Sequence, residues 1–238
     1  MAELVVALDV NEEKKLEFFL DALKGKPVWI KLGLEALSAF GYGAIGRARE
    51  KGFKVFADVK YHDIPNTVGA ALRVVTRAGA MMFNVHCSGG AAMCAAARKE
   101  SEEEAKRLGA MRPIVLGVTV LTSIGSEDLV AMGFAGGPLE TAEKLAATGK
   151  AGGLDGVVCS VHEAASIKSK LGKSFYALTP AIRPAGADVQ DQKRIATPAA
   201  AVKAGADFLV VGRPITGASD PAAACDKILE EMDSAIFG

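Results

Sequence analysis

Arg49-Glu50-Lys51-Gly52-Phe53-Lys54-Val55-Phe56-Ala57-Asp58-Val59-Lys60-Tyr61-His62-Asp63-Ile64-Pro65-Asn66-Thr67 reads as the end of one helix, a buried strand and the start of the next helix. A basic last turn followed by Gly52 is the expected helix C-cap. The run from Phe53 to Val59 is then largely apolar, as in a parallel strand covered on both faces. Acid and base crowd its carboxyl end, as Asp58, Lys60 and, just beyond, Asp63. Asp63 before Ile64-Pro65 is placed to cap the following helix, with proline in its first turn. A strand alternates faces every residue, so Asp58 and Lys60 are expected to point the same way. Burying two opposite charges costs several kcal/mol per ion before their pairing offsets any of it. The pair therefore points to chemistry rather than to stability.

The same unit recurs along the chain. Arg77-Ala78-Gly79-Ala80 and Lys203-Ala204-Gly205-Ala206-Asp207 also put glycine between a basic helix end and an apolar run. Apolar runs predict strands at Leu4–Leu8, Val28–Leu32, Phe53–Val59, Ala80–Val85, Ile114–Thr119, Gly156–Cys159, Phe175–Leu178 and Phe208–Val211. Helical patterns lie between and after them, at Glu12–Lys24, Glu35–Lys51, Val68–Ala78, Ala91–Leu108, Leu139–Thr148, Glu163–Leu171, Pro198–Ala204 and Ala222–Ile236. Repeated strand–helix units give either a closed barrel or an open doubly wound sheet. No G-x-G-x-x-G follows the first strand, which weighs against a dinucleotide-binding sheet. The length, 238 residues, is near the roughly 250 of an eightfold barrel. The chain is expected to fold as one α/β domain over residues 1–238, a single (β/α)8 TIM barrel.

Lys+Arg and Asp+Glu balance at 28 each, which argues against a general nucleic-acid or membrane-surface role. Four cysteines without a C-x-x-C pair suit free thiols in a reducing compartment, and three scattered histidines show no zinc-ligand spacing. There is no basic leader and no apolar stretch long enough to span a bilayer. The expectation is a cytoplasmic protein that binds a small molecule.

Active sites of such barrels lie at the carboxyl ends of the strands. The polar residues expected there are Asp9, Lys31, Asp58, Lys60, Asp63, Asn84, His86, Thr122, Ser123, Thr179, Arg183 and Arg213. Asp9 either caps the first helix or joins a charge network. Lys31 stands inside an apolar run, where a surface lysine is out of place. His86 reads as a satisfied histidine at the barrel mouth, and Cys87 and Cys159 as small packed residues. Arg213 follows Gly212 where the last strand turns into a short helix, either an ordinary turn or a phosphate cradle. The loop from Arg183 to Thr197 is long enough to act as a lid. Asp9, Lys31, Asp58 and Lys60 together make an alternating acid–base ring on three neighbouring strands.

Asp58-x-Lys60-x-x-Asp63-Ile64-Pro65-Asn66-Thr67 closely resembles the signature of the orotidine 5′-phosphate decarboxylases. The resemblance extends through Val6-Ala7-Leu8-Asp9, Lys31-Leu32-Gly33, Val85-His86, Leu121-Thr122-Ser123, Thr179-Pro180-Ala181-Ile182-Arg183, Asp191-Gln192, Arg194–Pro198 and Val211–Thr216. It implies decarboxylation of orotidine 5′-phosphate to uridine 5′-phosphate without metal or cofactor. Lys60 would protonate C6 of the pyrimidine, and Asp58 would face the substrate carboxylate. Asp9 would lie near the ribose hydroxyls, with Lys31 between the ribose and Asp58. Thr122 would hold the imide edge of the pyrimidine, and Pro180 would line the wall by the departing carboxylate. Gln192, Gly212 and Arg213 would grip the phosphate, with Arg183 close by. Asp63 and Thr67 would reach into the site of a partner subunit, implying a homodimer with shared active sites.

The chemistry fits these residue types. Loss of carbon dioxide leaves an in-plane carbanion that the π system stabilises poorly, and a fixed ammonium can stabilise it electrostatically and then donate a proton. The nearest alternative is a magnesium-dependent sugar-phosphate decarboxylase or aldolase of the same superfamily, such as 3-keto-gulonate 6-phosphate decarboxylase. It resembles this chain in the strand-three motif but carries a glutamate ligand at the position of Lys31. An ammonium cannot ligate magnesium. A Schiff-base lyase is disfavoured because flanking carboxylates hold a lysine in its charged form. An inactive nucleotide-binding barrel is disfavoured by the intact acid–base set.

Overall fold

The structure, a computed structural model, describes residues 2–184 and 196–237, without the side chains of residues 236 and 237. Eight parallel strands form a closed barrel in chain order. They are β1 (Glu3–Leu8), β2 (Val28–Leu32), β3 (Lys54–Tyr61), β4 (Met82–His86), β5 (Ile114–Val118), β6 (Gly156–Val158), β7 (Tyr176–Thr179) and β8 (Phe208–Val211). The barrel closes where β1 pairs with β8 from Glu3↔Phe208 to Val6↔Val211. The expected TIM barrel is therefore present, and every strand read from an apolar run is there.

The outer ring contains α1 (Glu13–Ala22), α2 (Leu34–Phe40), α3 (Gly43–Glu50), α4 (Pro65–Arg77), α5 (Gly90–Arg107), α6 (Ser126–Ala131), α7 (Pro138–Ala151), α8 (Val161–Leu171), α9 (Pro198–Lys203), α10 (Arg213–Thr216) and α11 (Pro221–Phe237). The single helix expected over Glu35–Lys51 is two. Gly41 ends α2 at φ +61°, a left-handed conformation that glycine adopts without a steric cost. The short α6 lies after β5, where no helix was expected. Asp63 does not cap α4: Ile64 holds that position, and the Asp63 carboxylate accepts from the Ile64 N–H at 2.6 Å.

The core has two layers. Between strands and helices lies a continuous apolar shell that includes Leu4, Leu8, Ile30, Val55, Phe83 and Leu209. Inside the barrel, Val5, Trp29, Phe56, Met82, Leu116, Leu178 and Phe208 fill the floor, with Trp29 and Phe208 in edge contact at 5.7 Å between ring centres. A strand returns to the same face every second residue. The next inward positions above this floor are therefore Ala7, Lys31, Asp58, Asn84, Val118, Pro180 and Val210. Three of these seven, Lys31, Asp58 and Asn84, are polar, and all three are buried. Polar groups at the opposite rim secure the strand starts instead. Asp155 accepts from the Val115 N–H and Asp207 from the Ala177 N–H, each at 2.8 Å.

Candidate active site

The charge ring runs across three strands. Lys31 Nζ stands 3.1 Å from Asp9 Oδ1 and 3.2 Å from Asp58 Oδ2. Lys60 Nζ donates to Asp58 Oδ1 at 2.5 Å. Asp9 is not the cap of α1, which starts beyond Glu12; of its two expected roles it takes the one in the ring. The side chains of Lys31 and Asp58 are 9% and 11% exposed, against 55% for Asp9, so the ring opens to solvent at its Asp9 end. Burial opposes the charge on Lys31, but Asp58 and Asp9 outweigh it and raise its pKa above the usual lysine range. Burial likewise pushes the Asp58 carboxyl up, yet Lys31 and then Lys60 hold it down at about 2. The low-dielectric interior strengthens both effects.

Gly33 makes room for the ring. A Cβ there would stand 2.8 Å from Lys31 Nζ and 3.0 Å from Asp9 Oδ1.

Asp58 and Lys60 do meet, but not through regular alternation. Between the pairs Ala57↔Phe83 and Tyr61↔Val85, β3 advances four residues while β4 advances two. Within this bulge Lys60 takes φ +49°, a left-handed conformation that costs a non-glycine residue roughly 1–2 kcal/mol. Bulges of this kind re-aim side chains beside functional sites. Asn84, wholly buried on β4, contacts both residues: its Oδ1 accepts from the Lys60 N–H and its Nδ2 donates to Asp58 Oδ1, each at 2.7 Å.

The ring faces a cleft with two connected chambers. The inner one, about 260 Å³, has apolar walls from Phe56, Val118, Val158 and Leu178, with Lys60 and Thr122 at its edge. The outer one, about 580 Å³, is bounded by Asp9, Glu35, Arg183, Gly212 and Arg213. Lys31, Asp58, Thr122 and Pro180 border both. An apolar slot beside fixed charge thus leads to a wider mouth carrying two guanidinium groups, one of them at the turn into α10. Glu35 also lines this mouth, from the first turn of α2, where a helical pattern alone gives no sign of a site.

Asp63 and Thr67 line neither chamber. Both are exposed, on the turn after β3 and the first turn of α4. Gln192 and most of the expected lid lie outside the described residues. His86 ends β4 but lines neither chamber, and its ring centre lies 5.5 Å from that of His62; burial first, then His62 and Lys60, lower its pKa. Cys87 and Cys159 are buried as expected, and Cys159 also borders the inner chamber. Among the described residues, no three His, Cys, Asp or Glu side chains gather as a metal site, and no helix is long and apolar enough to cross a membrane.

Fold and site together define a (β/α)8 barrel with an alternating Asp–Lys–Asp–Lys cluster at the carboxyl ends of β1 to β3 and an arginine-bearing mouth at β7 and β8. The sequence profile of the orotidine 5′-phosphate decarboxylase / HUMPS family matches residues 2–228. The orotidine 5′-phosphate decarboxylase of Nitratidesulfovibrio vulgaris (strain DP4) is 49% identical over 233 residues, 98% of each chain. That of Aliivibrio fischeri (strain MJ11) is 45% identical over 226 residues, 95% of each chain. The crystal structure of orotidine 5′-phosphate decarboxylase from Lactobacillus acidophilus superposes with a TM-score of 0.86 at 35% identity, covering 98% of this chain and all of that one. The chain belongs to the orotidine 5′-phosphate decarboxylase / HUMPS family.

Proposed function

We propose that the protein converts orotidine 5′-phosphate to uridine 5′-phosphate in pyrimidine biosynthesis, without metal or organic cofactor. The observation that carries this reading is Lys31, a buried ammonium between Asp9 and Asp58 with Lys60 on the far side of Asp58. In a magnesium enzyme on this scaffold that position supplies a ligand. Here it supplies fixed positive charge, so the sugar-phosphate alternative lacks the donor it needs. Its raised pKa also disfavours Lys31 as the free amine of a Schiff base.

In this mechanism the pyrimidine enters the inner chamber, with Thr122 at its imide edge and its carboxylate towards Asp58 and Pro180. The bond from C6 to the carboxylate breaks, carbon dioxide leaves, and the electron pair stays on C6. Lys60 Nζ gives its proton to C6, and solvent reprotonates the amine. Asp9 and Lys31 hold the ribose side. Arg213, the Gly212 backbone, Arg183 and Gln192 bind the phosphate, so that remote binding energy contributes to the chemical step. Asp63 and Thr67 are exposed in the monomer and line neither chamber of its cleft, which supports their serving the site of a partner subunit in a homodimer.

The test follows pyrimidine absorbance on mixing protein with orotidine 5′-phosphate in excess chelator. Full turnover is expected. Activity lost with chelator and restored by magnesium would overturn the metal-free mechanism, and no turnover under any condition would overturn the substrate. Lys60→Ala is expected to abolish turnover while uridine 5′-phosphate still binds; an active variant would remove Lys60 as donor.

A further inference from the structure

We infer that Asn84 is a positioning residue that sets the geometry of the Lys60–Asp58 pair by clamping the β3 bulge from the neighbouring strand. The inference rests on the decarboxylase reading above, in which Lys60 donates the proton.

The β3 ladder to β4 is interrupted between Ala57↔Phe83 and Tyr61↔Val85. Within this interruption the Lys60 N–H bonds to a side chain, the Asn84 Oδ1, at 2.7 Å. A buried N–H left unmatched would be costly, so Asn84 takes the place of a backbone acceptor and holds Lys60 in its left-handed conformation. This bond fixes which end of the amide faces β3. An amide oxygen only accepts and an amide nitrogen only donates. With Oδ1 committed to the Lys60 N–H, Nδ2 is the group available to donate to Asp58 Oδ1, 2.7 Å away. That carboxylate oxygen also receives Lys60 Nζ. One buried side chain therefore sets the backbone of the donor lysine and the carboxylate that orients its ammonium. The amide carries no charge, so it does this without adding a charged group to the ring.

The charged and titratable groups around the amide are Asp58 and Lys60 on β3, Lys31 on β2, Asp9 beyond β1, and His86 on β4 with its neighbour His62. On the other side of β4, β5 pairs Leu116 with Asn84 and carries no titratable residue in its sequence. Replacing the amide by a carboxyl keeps an acceptor for the Lys60 N–H but sets two carboxylates against each other. Such a pair shares a proton, and the protonated carboxyl can donate to Asp58 as the amide did.

The test compares wild type, Asn84→Ala and Asn84→Asp by steady-state turnover of orotidine 5′-phosphate, affinity for uridine 5′-phosphate and thermal unfolding. Asn84→Ala is expected to lower kcat about a hundredfold while product affinity stays within about threefold, as for a group that acts through Lys60. Asn84→Asp is expected to be similarly slow at neutral pH and to regain at least about tenfold, relative to wild type, as pH falls and the new carboxyl takes up a proton. If Asn84→Ala fails to fold, the pH response of Asn84→Asp decides alone. Wild-type kcat in either folded variant, or losses in kcat and product affinity of equal size with no relative recovery at low pH, would overturn the assignment. Failure of the wild-type protein to turn over the substrate would strike the decarboxylase reading itself, whatever the variants do.

Discussion

Asp58→Asn asks whether the charge ring is held by its own electrostatics. The substitution keeps the side-chain shape and deletes one charge. That carboxylate takes Lys60 at 2.5 Å and Asn84 at 2.7 Å on one oxygen and Lys31 at 3.2 Å on the other. Burial would raise its pKa, but the lysines reverse the effect and bring it from the ordinary 3.8 to about 2. At 1.36 kcal/mol per pH unit this favours the charged form in the fold by about 2 kcal/mol. The variant also leaves Lys31 buried, with the more exposed Asp9 as its remaining acidic partner, and breaking a buried pair costs roughly 3–5 kcal/mol. A loss of about 2–5 kcal/mol is therefore expected near neutral pH, read by urea unfolding at fixed protein concentration. Because the folded pKa is depressed, the wild-type advantage is complete above about pH 4 and is lost as pH falls towards 2. The gap between wild type and variant should narrow over that window. A variant as stable as wild type at neutral pH, or a gap that ignores acid, would show that the ring is not held by its own charges and is a net cost carried for chemistry alone.

Gly33→Ala places a methyl group 2.8 Å from Lys31 Nζ and 3.0 Å from Asp9 Oδ1. Nζ is the free end of a flexible chain and can move, so thermal stability should change little while kcat falls at least about tenfold, equivalent to roughly 1.4 kcal/mol; unchanged kcat would show that the Lys31–Asp9 contact does not matter to the reaction. If the protein is a homodimer with shared sites, mixing inactive Asp63→Ala with inactive Lys60→Ala protein should give mixed dimers with one native site each and about half the activity of a wild-type dimer, as twofold symmetry requires. Mixed dimers without activity would count against a shared site.

Much of the fold was legible because strands covered on both faces are apolar runs, and helices between them end in glycine. Lys31 and Asp58 stood out for the same reason: each is a charge set among apolar residues of a strand and buried with them. What the chain could not disclose locally was the register between strands. The bulge exists only relative to β4, so alternation along β3 led to the right contact by the wrong geometry. Asn84 was visible as one more polar residue near a strand end. Its partners lie 24 and 26 positions away in sequence, and only the broken ladder gives its amide two bonds to make. The split between α2 and α3 had a signal, Gly41, that helical composition on either side outweighed. Asp63 missed the cap by one position because Ile64, extended ahead of Pro65, already supplies the entry into α4.

The ring also limits how much electrostatic stress can explain. Two aspartates and two lysines sum to zero formal charge, so the substrate carboxylate brings one uncompensated negative charge. About 4 Å from Asp58 it would be repelled by roughly 4 kcal/mol at an effective dielectric of 20. Demanding enzymes lower barriers by up to roughly 23 kcal/mol, so repulsion can supply only a minor share. The larger share must come from groups already fixed for the carbanion, since their reorganisation is not required at the moment of reaction. In the proposed mechanism Lys60 is such a group, with its backbone held by Asn84 and its ammonium by Asp58. On this reasoning the bulge matters more to the rate than the crowding of carboxylates, and Asn84→Ala should impair turnover even though it leaves every charge in the ring.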